Sequence, residues 1–194
     1  MNSLVKLRYT SFAAIEYFSR LASSNLLALS NGFKFADVSG TDSLEGLLLN
    51  FKSAKNFILF TDTLSQDIFE DGVNYEGLTN WRGKSLRKQF FCNGSGYFRR
   101  DVYTVFILMH YRFNDMTDRD DKLDICREIF RQMNSRILYD RDCECDDRLT
   151  YLNFENVFVR ELSGYEKNGV TGLCFMIQNE QPIDISYDRA EWVK

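Results

Sequence analysis

Proline is almost missing from this chain: Pro182 is the only one in 194 residues. Long proline-stiffened linkers are therefore excluded. Histidine is as scarce. His110 stands alone, so no histidine pair can hold a metal or relay a proton. No run of about 18 apolar residues occurs, which leaves no expected membrane-spanning helix. The opening Met1-Asn2-Ser3-Leu4-Val5-Lys6-Leu7-Arg8-Tyr9 also lacks the apolar stretch of a signal peptide. The expectation is a protein that is cytoplasmic where it is synthesised and has no membrane partner.

Recognisable chemistry is missing too. No serine lies in a Gly-x-Ser-x-Gly elbow. Gly94-Ser95-Gly96 is flanked by strand-like residues, whereas a phosphate loop runs into a helix N-terminus. Cys143-Glu144-Cys145 has one intervening residue and no second Cys or His pair, so it falls short of a structural zinc site. The acidic groups Asp115/Asp118/Asp120/Asp121 and Asp142/Glu144/Asp146/Asp147 lack the glycine and closing glutamate of a calcium loop. His110, near the end of a strand beside Tyr111, reads as a structural or rim residue. The expectation is no catalytic residue, no metal and no cofactor.

What is present is core material. Hydrophobic residues make up 44% of the chain and aromatics 15%, with 17 Phe and 10 Tyr. That suffices for a packed interior and speaks against disorder. Five cysteines form an odd set in a chain long enough to fold without staples. Cys126 falls on the apolar face of a helix and Cys174 in an apolar strand, so both read as reduced, buried thiols.

The hydrophobic pattern orders the elements. Phe12, Ile15, Phe18 (or Ser19) and Leu21 or Ala22 recur at helical spacing, giving a helix over residues 11 to about 29. Thr10 or Ser11 can cap it, and Asn31-Gly32 can stop it. A turn-rich stretch follows, and residues 44–51 fit a short helix or a strand equally. Residues 55–61 and 86–92 read as strands, with Asn93-Gly94-Ser95-Gly96 as a turn.

The surest strand runs over 101–113, with Tyr103, Val105, Ile107, Met109 and Tyr111 on one face. Thr104, Phe106, Leu108 and His110 take the other face. Apolar residues on both sides predict a central strand. A helix over about 118–138 follows, capped by Thr117 or Asp118, with Asp120, Asp121 and Asp124 favouring its N-terminal dipole. Leu123, Cys126, Phe130, Met133 and Ile137 form its apolar stripe. Residues 139–149 read as a charged loop, and 151–162 with 170–178 as a hairpin-like strand pair. The fold class expected is α+β: a mostly antiparallel sheet with an N-terminal helix and a long amphipathic helix packed on it. One domain spans 1–194, with a long loop excursion at about 62–84 and an irregular tail at about 183–194 that Trp192 can anchor.

Charge is segregated along the chain. Residues 77–100 carry Arg82, Lys84, Arg87, Lys88, Arg99 and Arg100 with no acid. Residues 62–76 carry Asp62, Asp67, Glu70, Asp71 and Glu76 with no base. Such segregation suits oppositely charged faces that meet a partner, or solvated loops that neutralise one another in the fold. The basic segment also holds Trp81, Phe90, Phe91, Tyr97 and Phe98, a mixture able to grip single-stranded nucleic acid. A protein partner with acidic loops, including a second copy, is the stronger reading.

With these elements placed, the chain resembles the phage tail-terminator and tail-completion proteins of the head–tail junction. The resemblance rests on the helix near 12–21, Tyr103-Thr104-Val105-Phe106-Ile107-Leu108-Met109 and Asp120-Asp121-Lys122-Leu123-Asp124-Ile125-Cys126-Arg127-Glu128-Ile129-Phe130. It continues through Val157-Phe158-Val159-Arg160-Glu161-Leu162 and Gly172-Leu173-Cys174-Phe175-Met176-Ile177. About half the chain is covered, by element order and texture. The excursion at 62–84 and the tail after Pro182 depart from the family pattern.

The resemblance implies a small α+β protein without catalytic residues that forms a ring on the end of a tail tube. Self-association and other virion proteins are the implied partners, and the virion the implied location. Trp81, Arg82, Arg87, Arg99 and Arg100 are the expected contact residues, facing acidic loops of a neighbour. The alternatives are a nucleic-acid-binding or small-molecule-binding α+β domain, or a small enzyme without a recognisable motif.

Overall fold

The computed structural model describes residues 13–39, 56–62, 89–92, 97–144, 149–162 and 169–183. Helix α1 (Ala14–Ser24) leads into α2 (Leu26–Ser30), then strands β1 (Lys34–Asp37), β2 (Asn56–Thr61), β3 (Gln89–Cys92) and β4 (Tyr97–His110). Helix α3 (Met116–Asp142) and strands β5 (Leu152–Glu161) and β6 (Val170–Ile183) complete the order. The strands form one six-stranded sheet in the order β1-β2-β4-β6-β5, with β3 paired to β4. Among the described strands only β1–β2 is parallel, and the other pairings are antiparallel. The fold is α+β, with helices on a mixed, mostly antiparallel sheet.

Strand β4 is the axis. It pairs along its full length with β6, from Tyr97↔Ile183 to His110↔Val170. On its other side β2 takes the stretch Thr104 to Met109, and β3 takes Tyr97 to Arg100. The expected two-faced apolar strand is thus central, and it begins earlier than the pattern suggested. Its second partner lies close: a Cβ built on Gly172 would come within 2.0 Å of the Ile107 carbonyl oxygen. Only glycine fits there.

Helices α1 and α3 lie on the side of the sheet that carries Ile58, Phe60, Tyr103, Val105, Ile107, Leu173, Phe175 and Ile177. Aromatic rings knit this layer. Phe18 of α1 stacks on Phe60 at 5.5 Å, Phe60 stacks on Tyr103 at 5.9 Å, and Phe130 of α3 meets Phe175 at 5.0 Å. Rings at such separations gain contact energy beyond area burial. The opposite side holds a second buried cluster that includes Phe57, Leu59, Phe106, Leu108 and Cys174.

Several expectations shift. The N-terminal helix is broken at Asn25, because that side chain leaves the first helix to cap the second, accepting from the Ala28 N–H at 2.8 Å. The first helix begins after Ala13, with no side-chain cap, and Thr10 and Ser11 lie outside the described residues. Its buried stripe is Ala14, Tyr17, Phe18, Leu21 and Ala22, while Ile15 faces solvent. Asn31 and Gly32 do end α2, with Gly32 in the left-handed region (φ 69°). A short strand, β1, occupies part of the expected turn-rich stretch, since pairing with β2 outweighs its local composition.

Helix α3 is longer than its periodicity predicted. Asp115 is the cap, accepting from the Asp118 N–H at 3.0 Å, after Asn114 has turned the chain at φ 67°. Leu123, Cys126, Met133 and Ile137 are buried as expected, joined by Ile129, with Phe130 packed at the margin. The helix also continues through residues 139–142, where a charged loop was expected. Strand β6 likewise runs on to Ile183. The segment 44–51, the turn 93–96, the excursion beyond Asp62 and the tail with Trp192 lie outside the described residues.

Candidate functional site

The reason α3 reaches Asp142 is also the most developed polar constellation among the described residues. Asp140 sits one turn past Ile137 and shares its inward face, so its carboxylate is buried, with the side chain 5% exposed. Its Oδ2 accepts a hydrogen bond from the Tyr17 hydroxyl of α1 at 2.9 Å. Arg136, one turn back, brings its Nε to 2.6 Å from Oδ1, close in charge but poorly directed for a hydrogen bond. Arg20 approaches Oδ2 at 3.9 Å while its guanidinium lies over the Tyr17 ring at 5.1 Å. A second stack places Arg136 over Tyr139 at 5.4 Å.

Both arginines keep their heads largely in solvent, at 57% and 59% exposure, with the acid beneath them. This is a clasp. Burying a carboxylate is costly without opposite charge and hydrogen bonds; here α1 supplies the Tyr17 hydrogen bond and one of the two guanidinium groups. The geometry fixes the angle between two helices and holds the charge in place. Oδ2 is hydrogen-bonded to Tyr17, and Oδ1 has only the charge of Arg136 beside it.

The other polar groups of α3 form short-range pairs. Arg112 reaches Asp115 at 3.2 Å and Asp118 at 3.6 Å, and the Arg112 N–H donates to Asp118 at 2.7 Å. That backbone bond, with the nearby guanidinium, holds the Asp118 carboxyl below its usual range. Arg127 bridges Asp124 at 2.6 Å and Glu161 of β5 at 2.7 Å, fastening α3 to the outer strand. Arg131 holds Glu128 at 2.6 Å, and together with Gln132 it draws the Glu128 carboxyl down to about 2. The arginines that lie off the apolar stripe thus spend their charge within the domain.

Burial raises the Cys126 thiol to about 12 and the Cys174 thiol to about 11, so both are inert. Cys143 is exposed at the end of α3, and Cys145 lies outside the described residues. His110 packs its ring 6.4 Å from Phe57 at the end of β4. Among the described residues no group of three or more His, Cys, Asp or Glu is placed to hold a metal, and no helix is long and apolar enough to cross a membrane.

The residues singled out for partner contact are only partly placed. Trp81, Arg82 and Arg87 lie outside the described residues. Arg99 and Arg100 belong to β4, where β6 and β3 flank their backbone: Arg99 opposes Gln181 and Phe90, and Arg100 opposes Glu180 and Gln89. Sequence reading missed Asp140 because its neighbours, Asp142, Cys143 and Glu144, suggested a solvated run. The signal that could have found it was spacing: 126, 129, 133, 137 and 140 keep one helical stripe.

No family model, curated protein or solved structure matches the chain.

Proposed function

We propose that this protein is a non-enzymatic assembly module that forms a ring of identical subunits, in the manner of the head–tail joining proteins it resembles. The observation that carries the proposal is the run of strand directions across the sheet. β1 follows β2, β2 and β6 both oppose β4, and β5 opposes β6. The two outermost of the described strands, β1 and β5, therefore point in opposite directions at opposite ends of one sheet. A rotation that carries the sheet onward without inverting it sets β5 of one copy beside β1 of the next as an antiparallel pair. Such a head-to-tail contact closes into a ring when the rotation closes.

Both edges are blunted, which favours a short defined contact over open-ended stacking. β1 is four residues long, and the register of β5 is interrupted between Asn153 and Phe158. Segregated charge supports the same reading. The basic segment with Trp81, Arg82, Arg87, Arg99 and Arg100 would set register against acidic loops of the neighbouring copy or of other virion proteins.

The test is the mass in solution, by light scattering on a sizing column across protein and salt concentration. A discrete oligomer that loosens with salt is the expected result. The double charge reversal of Arg99 and Arg100 to Glu should weaken it. A monomer at every concentration, alone and with a tail-tube template, would remove the proposal. Salt-dependent retention of single-stranded nucleic acid by that monomer would favour the nucleic-acid reading instead.

A further inference from the structure

Asn179 is completely buried in β6, and neither its amide oxygen nor its amide nitrogen reaches a hydrogen-bond partner. Native interiors almost always satisfy such a group, so an orphaned amide at the centre of a sheet calls for a ligand. Its surroundings are specific. In register, Asn179 faces Asp101 of β4 on one side and Leu152 of β5 on the other. Asp101 is itself a buried carboxylate, at 6% exposure. All three side chains share the helix-bearing side of the sheet with Tyr103 and Ile177. Leu149 and Leu152 belong to the same buried cluster as Tyr103 and Ile177.

The strands also part at this place. Asn153 pairs with Gln178 and Phe158 with Met176, so residues 154–157 of β5 lie opposite Ile177 alone. Irregularities of this kind open the ladder locally and make space between strands. A buried amide, a buried carboxylate and a parted ladder meet at one spot.

We propose that Asn179 and Asp101 hold a buried water molecule on the helix-bearing side of the sheet, beside the β5–β6 irregularity, as a fixed part of the fold. The chemistry selects this ligand. Asn179 offers both donors and an acceptor, which a molecule that only accepts or only donates would leave half unsatisfied. An anion would meet the Asp101 carboxylate. A divalent cation would need more oxygen ligands, and no third acid, histidine or cysteine joins the group among the described residues. Water accepts from the Asn179 amide N–H and donates to its oxygen and to Asp101, three bonds in all, as interior waters commonly make. Side chains opposite each other on antiparallel strands lie about 5 Å apart at Cβ, within reach of one bridging molecule.

The experiment uses the full chain with nitrogen-15 placed selectively in asparagine. Magnetisation transfer from water to the Asn179 side-chain amide protons is recorded in the laboratory and rotating frames. The expected result is a direct cross-peak whose sign shows a water held for longer than nanoseconds. Assignment rests on loss of the signal in Asn179→Leu, or in Asn179→Asp should the leucine variant fail to fold. Absence of a direct water cross-peak at the assigned amide, or a strong contact to a protein acceptor in its place, overturns the proposal.

Discussion

One side of the sheet buries Val105, Ile107 and Phe175 against α1 and α3; the other buries Phe57, Phe106 and Leu108 just as deeply, in a cluster to which no described helical residue belongs. The helix-bearing side is where the polar exceptions concentrate: the Tyr17–Asp140 clasp and the Asp101–Asn179 pair. On the opposite side the fully buried polar groups among the described residues are hydroxyls, Thr61 and Thr104 adjacent in register, with the half-buried His110 ring beside Phe57 at one end. Apolar burial is a matter of area and does not depend on what shape does the covering. Fixing a helix at one angle takes directional bonds as well, and those appear only where helices pack.

The most damaging single change should fall between the two sides. Gly172→Ala places a methyl against the Ile107 carbonyl, at a φ of 154° that suits glycine, and so forces β4 and β6 apart. A loss of more than about 4 kcal/mol, or failure to fold, is expected by denaturant unfolding.

Next come matched truncations. Phe175→Ala on the helix side and Phe106→Ala on the other should each cost about 3–5 kcal/mol. Equal costs would mean that both sides are packed to the same density. A much smaller cost for Phe106→Ala would break the equivalence.

The clasp tests the directional half of the comparison. Asp140→Ala removes the acceptor of the Tyr17 hydroxyl, while Arg20 and Arg136 stay largely in solvent, and should cost about 1.5–3 kcal/mol. Tyr17→Phe, which removes one hydrogen bond to a charged group, should cost about 1.5–3 kcal/mol. In a double-mutant cycle the two losses should fall short of additive, since one bond is shared.

The smallest effect belongs to the outer face of α3. The Glu128 carboxyl titrates near 2 in the fold, below its ordinary 4.5. A depressed carboxyl stabilises above its unfolded pKa and loses that contribution as pH falls from about 4.5 through 2. Being fully exposed, it should contribute little, so Glu128→Gln should leave the unfolding midpoint at pH 7 almost unchanged while flattening the acid limb.

Residues with a local period were legible in the chain. β4 announced itself through Tyr103 to Met109, apolar on both sides, and α3 through Leu123, Cys126, Met133 and Ile137. What escaped depends on more than an apolar period. β1 is a strand because β2 runs beside it; Asn25 breaks a helix because its side chain caps the next one. Asp140 looks like surface until Tyr17, 123 positions earlier, is brought to its carboxylate. Of the candidate contact residues, only the backbone of Arg99 and Arg100 is placed, so their role stays with the assembly experiment. The Cys126 and Cys174 readings held because an apolar periodic setting is enough to bury a thiol.

The full-length pairing of β4 with β6 also sets a timetable for synthesis. β2 is made before β4, but β6 follows only after α3 and β5, about 60 residues later. At roughly 5–20 residues per second the ribosome needs about 3–12 s to supply it. Through that interval the central strand, apolar on both sides, has one flank open. A nascent chain stalled near residue 165 should therefore be the form of this protein most prone to capture by chaperones or by its own kind.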